Sequence, residues 1–355
     1  AVERSNDLTL YCSPTWCQAT LKGIRMYRIW FERDMPRYLS PMLDGEATPI
    51  GPGTATPDDL LSSIGPAEAA IASSLVTYDA SAMDRAPLLR VIARTGIGVD
   101  KVDLGAATER GIAVCNAPDA PTISTAEHAI TLMLAIAKQV PAAQAALRNG
   151  GRDFFASHQG EELAGRTLGL AGIGRIGSRV ARMAAGFDMR VTAYDPFVDE
   201  TTAAEAGIEL VDSLDELLAE ADVVSLHLPL TDGTRHLIDS ERLGLMRPGA
   251  MLINTARGGL VDHDALLGAL DLGHLSGAGL DVTDPEPLPT DHPLLRRDDV
   301  VVTPHVAAAT TAGKARLYES AATQALQVLR GEYPNHLVNP EVWPVRRRDP
   351  NTKET

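Results

Sequence analysis

The stretch TLGLAGIGRIGSRVARMAA, residues 167–185, decides the fold. An apolar strand at 167–171 leads directly into the spacing G-x-G-x-x-G, formed by Gly172, Gly174 and Gly177, and a helical segment follows. In such a unit the first glycine turns the chain tightly, the second lets the backbone approach a diphosphate, and the third lets the helix pack on the strand. The diphosphate then lies at the positive N-terminus of the helix. The stretch therefore predicts a parallel α/β fold with a dinucleotide-binding turn.

The sequence around this turn alternates between strands and helices. Beyond the turn, short apolar strands separated by helical stretches are predicted at residues 190–194, 223–228, 251–255, 278–282 and 300–303. An earlier buried strand is predicted at 89–94. This alternation is typical of a parallel sheet with crossover helices. Because 355 residues suffice for about two domains, we expect a Rossmann-type, doubly wound parallel domain and a second domain.

A carboxylate lies where the adenosine ribose of a dinucleotide needs one. Asp195 ends the strand after the glycine turn, 18 residues beyond Gly177, at the spacing where an acidic residue binds the ribose hydroxyls. Pro196 and Phe197 follow it, so no arginine directly after Asp195 could bind the 2′-phosphate of NADP. We therefore predict NAD as the cofactor and consider NADP less favoured. The alternative is a glycine-rich turn that binds no nucleotide.

The composition excludes several classes of protein. Lys and Arg number 32 against 47 Asp and Glu, a net charge of −15, whereas nucleic-acid binding depends on a basic surface. The three cysteines, Cys12, Cys17 and Cys115, are too few for a disulfide framework and lack zinc-type spacing, so we predict no metal site. No apolar stretch approaches the roughly 20 residues of a membrane span, and no secretory signal is evident. We expect a cytoplasmic protein with neither nucleic acid nor membrane as partner.

Three polar residues follow predicted strands at the edge where open α/β sheets bind ligands: Arg257, Glu286 and His305. A guanidinium can bind a carboxylate and polarise a carbonyl. An imidazole can transfer a proton at neutral pH, and a carboxylate can orient that imidazole. Each residue alone has an ordinary interpretation, as a solvated strand end or a turn residue. Together they favour hydride transfer to a 2-oxo acid.

Several longer signatures accompany these residues, in order along the chain. They are LAGRTLGLAGIGRIG (163–177), HLPLT to TRHLI (227–238), RPGAMLINTARGGLVDHDAL (247–266), GAGLDVTDPEPL (277–288) and VVTPHVAAAT (301–310). Over about residues 26–333 the chain resembles the D-isomer-specific 2-hydroxyacid dehydrogenase family. Within it, the similarity is to members that act on phosphoglycerate, hydroxypyruvate or glyoxylate.

The resemblance implies an NAD-dependent oxidoreductase acting on the CH–OH group of small 2-hydroxy acids. It implies an NAD-binding domain at residues 117–304 and a smaller, flavodoxin-like α/β substrate domain, made of residues 26–116 and 305–333. It also implies a homodimer built largely through the nucleotide domains.

The resemblance assigns roles to the three polar residues and to one loop. Arg257 would bind the substrate carboxylate and carbonyl, His305 would be the acid/base, and Glu286 would be its partner. In the loop that starts at Arg94, the N–H groups of Ile97 and Gly98 would clasp the carboxylate, and consecutive N–H groups in a glycine-containing turn do form an anion nest.

Six further residues would contact the cofactor. Asp281 would meet the nicotinamide carboxamide, and Arg175 and Ile176 would face the diphosphate. The cleft would be lined by His227, Pro229 and Thr255.

Two alternatives stay open. Arg94 and Lys101 could attract a substrate phosphate, as in 3-phosphoglycerate, or could be a packed arginine and a solvated lysine beside a substrate such as hydroxypyruvate or glyoxylate. A function of another class is that of an NAD-sensing corepressor of the same fold, which binds protein partners and catalyses nothing.

The two ends lack the pattern of the fold. Residues 1–25 show neither helical nor strand periodicity. They are either an extension of the fold or an upstream stretch that does not belong to it, and we favour the second interpretation. Residues 334–355 are expected to form a tail, which is expected to be frayed from Trp343 onward.

Overall fold

The computed structural model describes residues 26–52 and 59–348, and the upstream stretch at 1–25 lies outside the described residues. The chain forms two compact units. Unit 1 contains the described residues up to Asn116 and those from Tyr318 onward. Unit 2 is Ala117–Leu317.

Unit 1 is built on a five-stranded parallel sheet. Its strands are β1 (Tyr27–Phe31), β2 (Ala47–Ile50), β3 (Ala69–Ala72), β4 (Val91–Arg94) and β5 (Ala113–Cys115), in the order β2-β1-β3-β4-β5. Its helices are α1 (Ser40–Leu43), α2 (Ala80–Asp84) and α3 (Leu104–Glu109). Apolar side chains cover both faces of the sheet, as expected where all strands are parallel.

Unit 2 is built on a seven-stranded parallel sheet in the order β12-β11-β10-β9-β6-β7-β8. Its strands are β6 (Thr167–Ala171), β7 (Arg190–Tyr194), β8 (Glu209–Leu210), β9 (Val223–Leu226), β10 (Ala250–Asn254), β11 (Leu275–Leu280) and β12 (Val300–Val302). Strand order reverses between β6 and β9, and ligands of open α/β sheets bind beyond the carboxyl ends of strands at such a point.

Helices cover both faces of this second sheet. The helices of unit 2, in chain order, are α4 (Thr122–Ala137), α5 (Val140–Arg148), α6 (Phe154–Ser157), α7 (Arg175–Ala185), α8 (Glu200–Glu205), α9 (Leu214–Glu220), α10 (Ser240–Leu245) and α11 (His263–Asp271). One apolar cluster forms where α4 and α7 pack on the sheet, and another where α9, α10 and α11 pack on it. The last helix, α12 (Thr311–Arg330), begins in unit 2 and ends in unit 1.

Two boundaries differ from those we expected. The chain returns to unit 1 at Tyr318 rather than at residue 305, because residues 305–317 pack with unit 2. Residues 334–348, expected as part of the tail outside the fold, belong to unit 1. Asn339 accepts a hydrogen bond from the Val114 N–H at 2.8 Å, and Val342 is fully buried. The apolar residues among these polar ones complete the core of unit 1.

Among the described residues, no single helix is long and apolar enough to cross a membrane. In the part of the chain that the structure describes, one pair of helices, α4 and α5, passes such a test when taken together, and the pair is bent by 55° at the break between them.

Candidate active site

The three predicted catalytic residues follow three neighbouring strands of unit 2. Arg257, Glu286 and His305 come after β10, β11 and β12, which lie side by side in the sheet. Because the strands are parallel, all three residues lie at the carboxyl-terminal edge of the sheet.

His305 and Glu286 form a direct pair. Glu286 Oε1 lies 2.7 Å from His305 Nδ1. The His305 side chain keeps 44% of its surface exposed and the Glu286 side chain 40%. Burial raises the pKa of Glu286, but the hydrogen bond and charge of His305, with a further contribution from Arg257, outweigh it and leave the pKa below its ordinary value. Glu286 is therefore a carboxylate at neutral pH, and an Nδ1–H donates to it.

The backbone at His305 adopts a conformation that non-glycine residues rarely do. Its φ of 54° lies in the left-handed region. The His305 N–H donates to the Asp281 carbonyl at 2.7 Å, and the N–H groups of Val306 and Ala307 donate to the two Asp281 carboxylate oxygens at 2.9 and 2.8 Å. Asp281 thus holds the loop that carries the imidazole, and such over-determined strain is typical of functional sites.

The side chain of Asp281 is turned into the protein, with only 1% of the residue exposed. It also accepts a hydrogen bond from Thr303 Oγ1 at 2.6 Å, and His128 Nε2 lies 2.9 Å from that hydroxyl. Burial raises the pKa of Asp281, but the hydrogen bonds around it hold the pKa below its ordinary value. The contact of Asp281 with a nicotinamide carboxamide stays a prediction. His128, on α4, was not singled out from the sequence.

The loop that carries Arg257 is held by hydrogen bonds to a buried asparagine. The fully buried Asn254 donates to the Arg257 carbonyl at 2.9 Å and accepts from the Ala256 N–H at 3.0 Å. A Cβ on Gly258 would lie 2.0 Å from the Thr283 carbonyl carbon. This glycine therefore lets the Arg257 loop and the Glu286 loop touch through their backbones.

The glycine turn has the geometry that the motif requires. Gly172 has a φ of +93°, and a Cβ on it would lie 2.9 Å from the His227 carbonyl oxygen. A Cβ on Gly177 would lie 2.3 Å from the Gly172 carbonyl oxygen. Nothing lies within 4 Å of a Cβ on Gly174, so space is left where a diphosphate would approach.

The donors at this turn fit a dinucleotide. Helix α7 starts after Gly174 with no side-chain cap, whereas α8, α9 and α11 start after Asp199, Ser213 and Asp262, which accept hydrogen bonds from first-turn N–H groups. The first turn of α7 thus keeps donors for an anion. The buried Thr255 hydroxyl has no hydrogen-bond partner among the described residues. Within those same residues, no group of three or more His, Cys, Asp or Glu side chains could hold a metal ion.

Asp195 faces the glycine turn. One of its oxygens accepts from the Ile173 N–H and the other from the Phe197 N–H, both at 3.0 Å. Each oxygen keeps a further lone pair, and the side chain is partly exposed. Asp195 can therefore still accept hydrogen bonds from ribose hydroxyls.

The other predicted cofactor residues have partners within unit 2. Arg175 Nε lies 2.6 Å from Asp119 Oδ1, and Ile176 packs against the core. The His227 ring lies 3.0 Å from a buried serine hydroxyl, and burial lowers the pKa of His227 to about 4. Pro229 is exposed. Contacts of these residues with a cofactor stay predictions.

The predicted substrate loop belongs to unit 1. Arg94 is only 8% exposed, and its Nε donates to the Gly98 carbonyl at 3.1 Å. The Ile97 carbonyl accepts from Asn116 Nδ2 at 2.8 Å. These two bonds hold the loop by its carbonyl groups, and Ile97 itself is 38% exposed.

Comparisons with known proteins identify the family. Residues 130–307 match the model of the D-isomer specific 2-hydroxyacid dehydrogenase, NAD binding domain. The D-3-phosphoglycerate dehydrogenase of Mycobacterium tuberculosis is 46% identical over 282 residues, 79% of this chain and 53% of that protein. The glyoxylate reductase of Korarchaeum cryptofilum is 44% identical over 279 residues, 77% of this chain and 83% of that protein.

A solved structure agrees with these relatives. The D-lactate dehydrogenase of Aquifex aeolicus, complexed with NAD and lactic acid, has a TM-score of 0.74 at 30% identity, covering 88% of this chain and 99% of that one. The chain spans about half the length of the curated D-3-phosphoglycerate dehydrogenases that it matches. The fold class predicted from the sequence is confirmed, as is the NAD-binding domain. The chain belongs to the D-isomer specific 2-hydroxyacid dehydrogenase family.

Proposed function

We propose that this chain is an NAD-dependent dehydrogenase that interconverts a small D-2-hydroxy acid and its 2-oxo acid. The observation that carries the proposal is the 2.7 Å contact between Glu286 and His305. This pair lies in the same unit as an uncapped glycine turn. An acid/base pair and a dinucleotide site in one unit are what hydride transfer to a carbonyl requires.

Each residue has one task in the proposed reaction. Bound NADH supplies the hydride that reduces the carbonyl carbon. His305 gives a proton from Nε2 to the carbonyl oxygen, and in the reverse direction Nε2 takes the proton of the hydroxyl. Glu286 accepts from Nδ1–H, which leaves Nε2 for the substrate and stabilises the imidazolium. Arg257 binds the substrate carboxylate and polarises the carbonyl, and Ile97 and Gly98 are the proposed N–H donors to that carboxylate.

Steady-state assays with NADH test the function directly. The panel contains glyoxylate, hydroxypyruvate, pyruvate and 3-phosphohydroxypyruvate, because relatives of this chain include D-3-phosphoglycerate dehydrogenases and glyoxylate reductases. We expect turnover of at least one of these acids. Absence of turnover on all of them, with NADH shown to bind, would contradict the proposal.

A homodimer is part of the proposal. Helix α5 buries none of its residues, and Leu147 and Phe155 are 66% and 98% exposed within unit 2. Both side chains lie on the segment 140–157, exposed apolar patches commonly mark a protein interface, and a second copy of the chain is the partner we propose. Light scattering on the purified protein should give twice the mass of one chain. Phe155→Ser together with Leu147→Ser should shift that mass towards the monomer.

A further inference from the structure

A buried carboxylate in unit 1 accepts hydrogen bonds from several of the donors of one loop. Glu32 directly follows β1, at the carboxyl-terminal edge of the sheet, and is 1% exposed. It accepts hydrogen bonds from the N–H groups of Ser73, Leu75 and Val76, the last at 3.0 Å. It also accepts from the Ser73 hydroxyl at 2.7 Å and the Tyr78 hydroxyl at 3.0 Å. These donors belong to the β3 loop, residues 73–78.

The β3 loop would otherwise resemble an anion site. Three backbone N–H groups that converge on one point form the kind of nest that binds carboxylate or phosphate. Here the protein's own carboxylate fills that nest. Burial, together with the adjacent charge of Glu32, raises the pKa of Tyr78 well above its ordinary value, so the Tyr78 hydroxyl keeps its proton and remains a donor.

The neighbouring β4 loop, residues 95–101, is different. Neither the Ile97 nor the Gly98 N–H donates a hydrogen bond to any acceptor among the described residues. The two loops are connected, since the Tyr78 N–H donates to the Lys101 carbonyl at 2.7 Å. At this edge of unit 1, one nest is therefore filled from within, and one pair of N–H groups is left for a ligand.

Three cations at this edge already have contacts within unit 1. Arg94 donates to the Gly98 carbonyl, and Lys101 Nζ donates to the Ser74 carbonyl at 2.7 Å. Arg33 Nε donates to the Ser73 hydroxyl at 3.2 Å, and Asp34 follows it in the chain. A phosphate here would displace these contacts and would lie close to the Glu32 carboxylate.

We propose that Glu32 is a built-in anion that occupies the β3 loop, and that the substrate is a 2-oxo acid whose only anionic group is its carboxylate. This inference rests on the proposed dehydrogenase function and narrows its substrate class. It decides between the two kinds of acid that the sequence left open. The Ile97 and Gly98 N–H groups bind the one carboxylate, and nothing in the β3 loop is left to bind a second anion.

Paired substrates test the inference. We measure kcat/KM with NADH for hydroxypyruvate and for 3-phosphohydroxypyruvate, which differ only in the phosphate, and titrate D-glycerate and 3-phosphoglycerate calorimetrically into the NAD-loaded protein. We expect hydroxypyruvate to be favoured at least tenfold and D-glycerate to bind at least as tightly. Equal or better turnover or binding of the phosphorylated acid overturns the inference but leaves the dehydrogenase function intact. No turnover and no binding of either acid overturns both.

Variants that remove one charge test whether Glu32 causes the preference for the unphosphorylated acid. Glu32→Gln keeps an acceptor oxygen in the loop but removes the charge, so the rate on the phosphorylated acid relative to hydroxypyruvate should rise several-fold. Glu68→Gln is the matched control, because Glu68 is 2% exposed and lies before β3, at the opposite edge of the same sheet. It should leave the ratio unchanged. Arg33→Ala, at an exposed position, should also leave it unchanged. A loss of phosphorylated-acid activity in Arg33→Ala would contradict the proposal even if Glu32→Gln fails to fold.

Discussion

The carboxyl-terminal edges of the two sheets use buried carboxylates in the same way but differ in what they expose. In unit 1, Glu32 holds the β3 loop and is 1% exposed. In unit 2, Asp281 is equally buried and holds the loop of His305. In unit 2 a titratable pair, His305 with Glu286, lies beside the loop that Asp281 holds and keeps about 40% of its side-chain surface exposed. The buried carboxylates shape loops, whereas the exposed pair is the one that the proposed mechanism assigns to proton transfer.

Replacing His305 should give the largest effect. His305→Ala removes the proton donor, and a positioned acid/base is typically worth about 10²- to 10⁴-fold in rate. We expect kcat to fall by that factor while NADH binding, followed by fluorescence, is unchanged. His158→Ala, at an exposed histidine outside the site, should have normal kinetics. A His305→Ala enzyme with near-normal turnover would show that the exposed pair does not carry out the proton transfer.

Disrupting a buried backbone contact at Gly258 should give the second-largest loss of activity. A Cβ on Gly258 meets the Thr283 backbone at 2.0 Å, so Gly258→Ala must push apart the loops of Arg257 and Glu286. A misplacement of about 1 Å can cost roughly 10²-fold in rate, and overpacking costs about 1–3 kcal/mol of stability.

The control for this variant is Gly268→Ala in α11, where nothing lies within 4 Å of the added Cβ. It should keep full activity and unfold at the same or a slightly higher temperature, because alanine favours a helix by about 0.5–1 kcal/mol over glycine. Equal behaviour of the two variants in kinetics and thermal unfolding would refute the role given to Gly258.

Periodicity and motif spacing predicted much of unit 2. The glycine turn, Asp195 and the strand ends that carry Arg257 and His305 follow from local patterns, because parallel strands bring their carboxyl ends to one edge. The break between α4 and α5 lies at Gln139, and α5 starts at Val140, one residue before Pro141. Proline is favoured in the first turn of a helix, so Pro141 belongs to the new helix.

The carboxylates that hold the loops could not be predicted. Glu32 lies in a charged stretch that resembles a solvated strand end, and its partners lie more than 40 residues further along the chain. Asp281 matches a family motif, but only the packed loop shows both of its oxygens turned inward. His128 is one of several polar residues on a largely apolar helix, and its contact with Thr303 spans 175 positions. Such partners are chosen by the tertiary fold and leave no local pattern.

A moderate effect is expected at the cofactor end of unit 2. Asp195→Asn removes a charged acceptor, and a hydrogen bond to a charged group contributes about 1.5–3 kcal/mol. The Kd for NADH, measured by fluorescence titration, should therefore rise about tenfold or more, with kcat at saturating NADH little changed. Asp199→Asn, at the cap of α8, should leave the Kd unchanged. An unaltered Kd in Asp195→Asn, or equal use of NADPH by the wild type, would detach Asp195 from the ribose.

The smallest expected effect is a displacement of the pH profile, and it separates orientation from charge in the exposed pair. Glu286→Gln can still accept from His305 Nδ1–H, so the imidazole keeps its orientation, but the negative charge that favours the imidazolium is lost. In the oxidation direction the imidazole acts as a base, and its neutral form then persists to lower pH. The acid limb of kcat/KM should therefore move to lower pH, and the displacement should be small because the pair is partly exposed to solvent. An unchanged profile would mean that Glu286 acts only through position, as the buried carboxylates do.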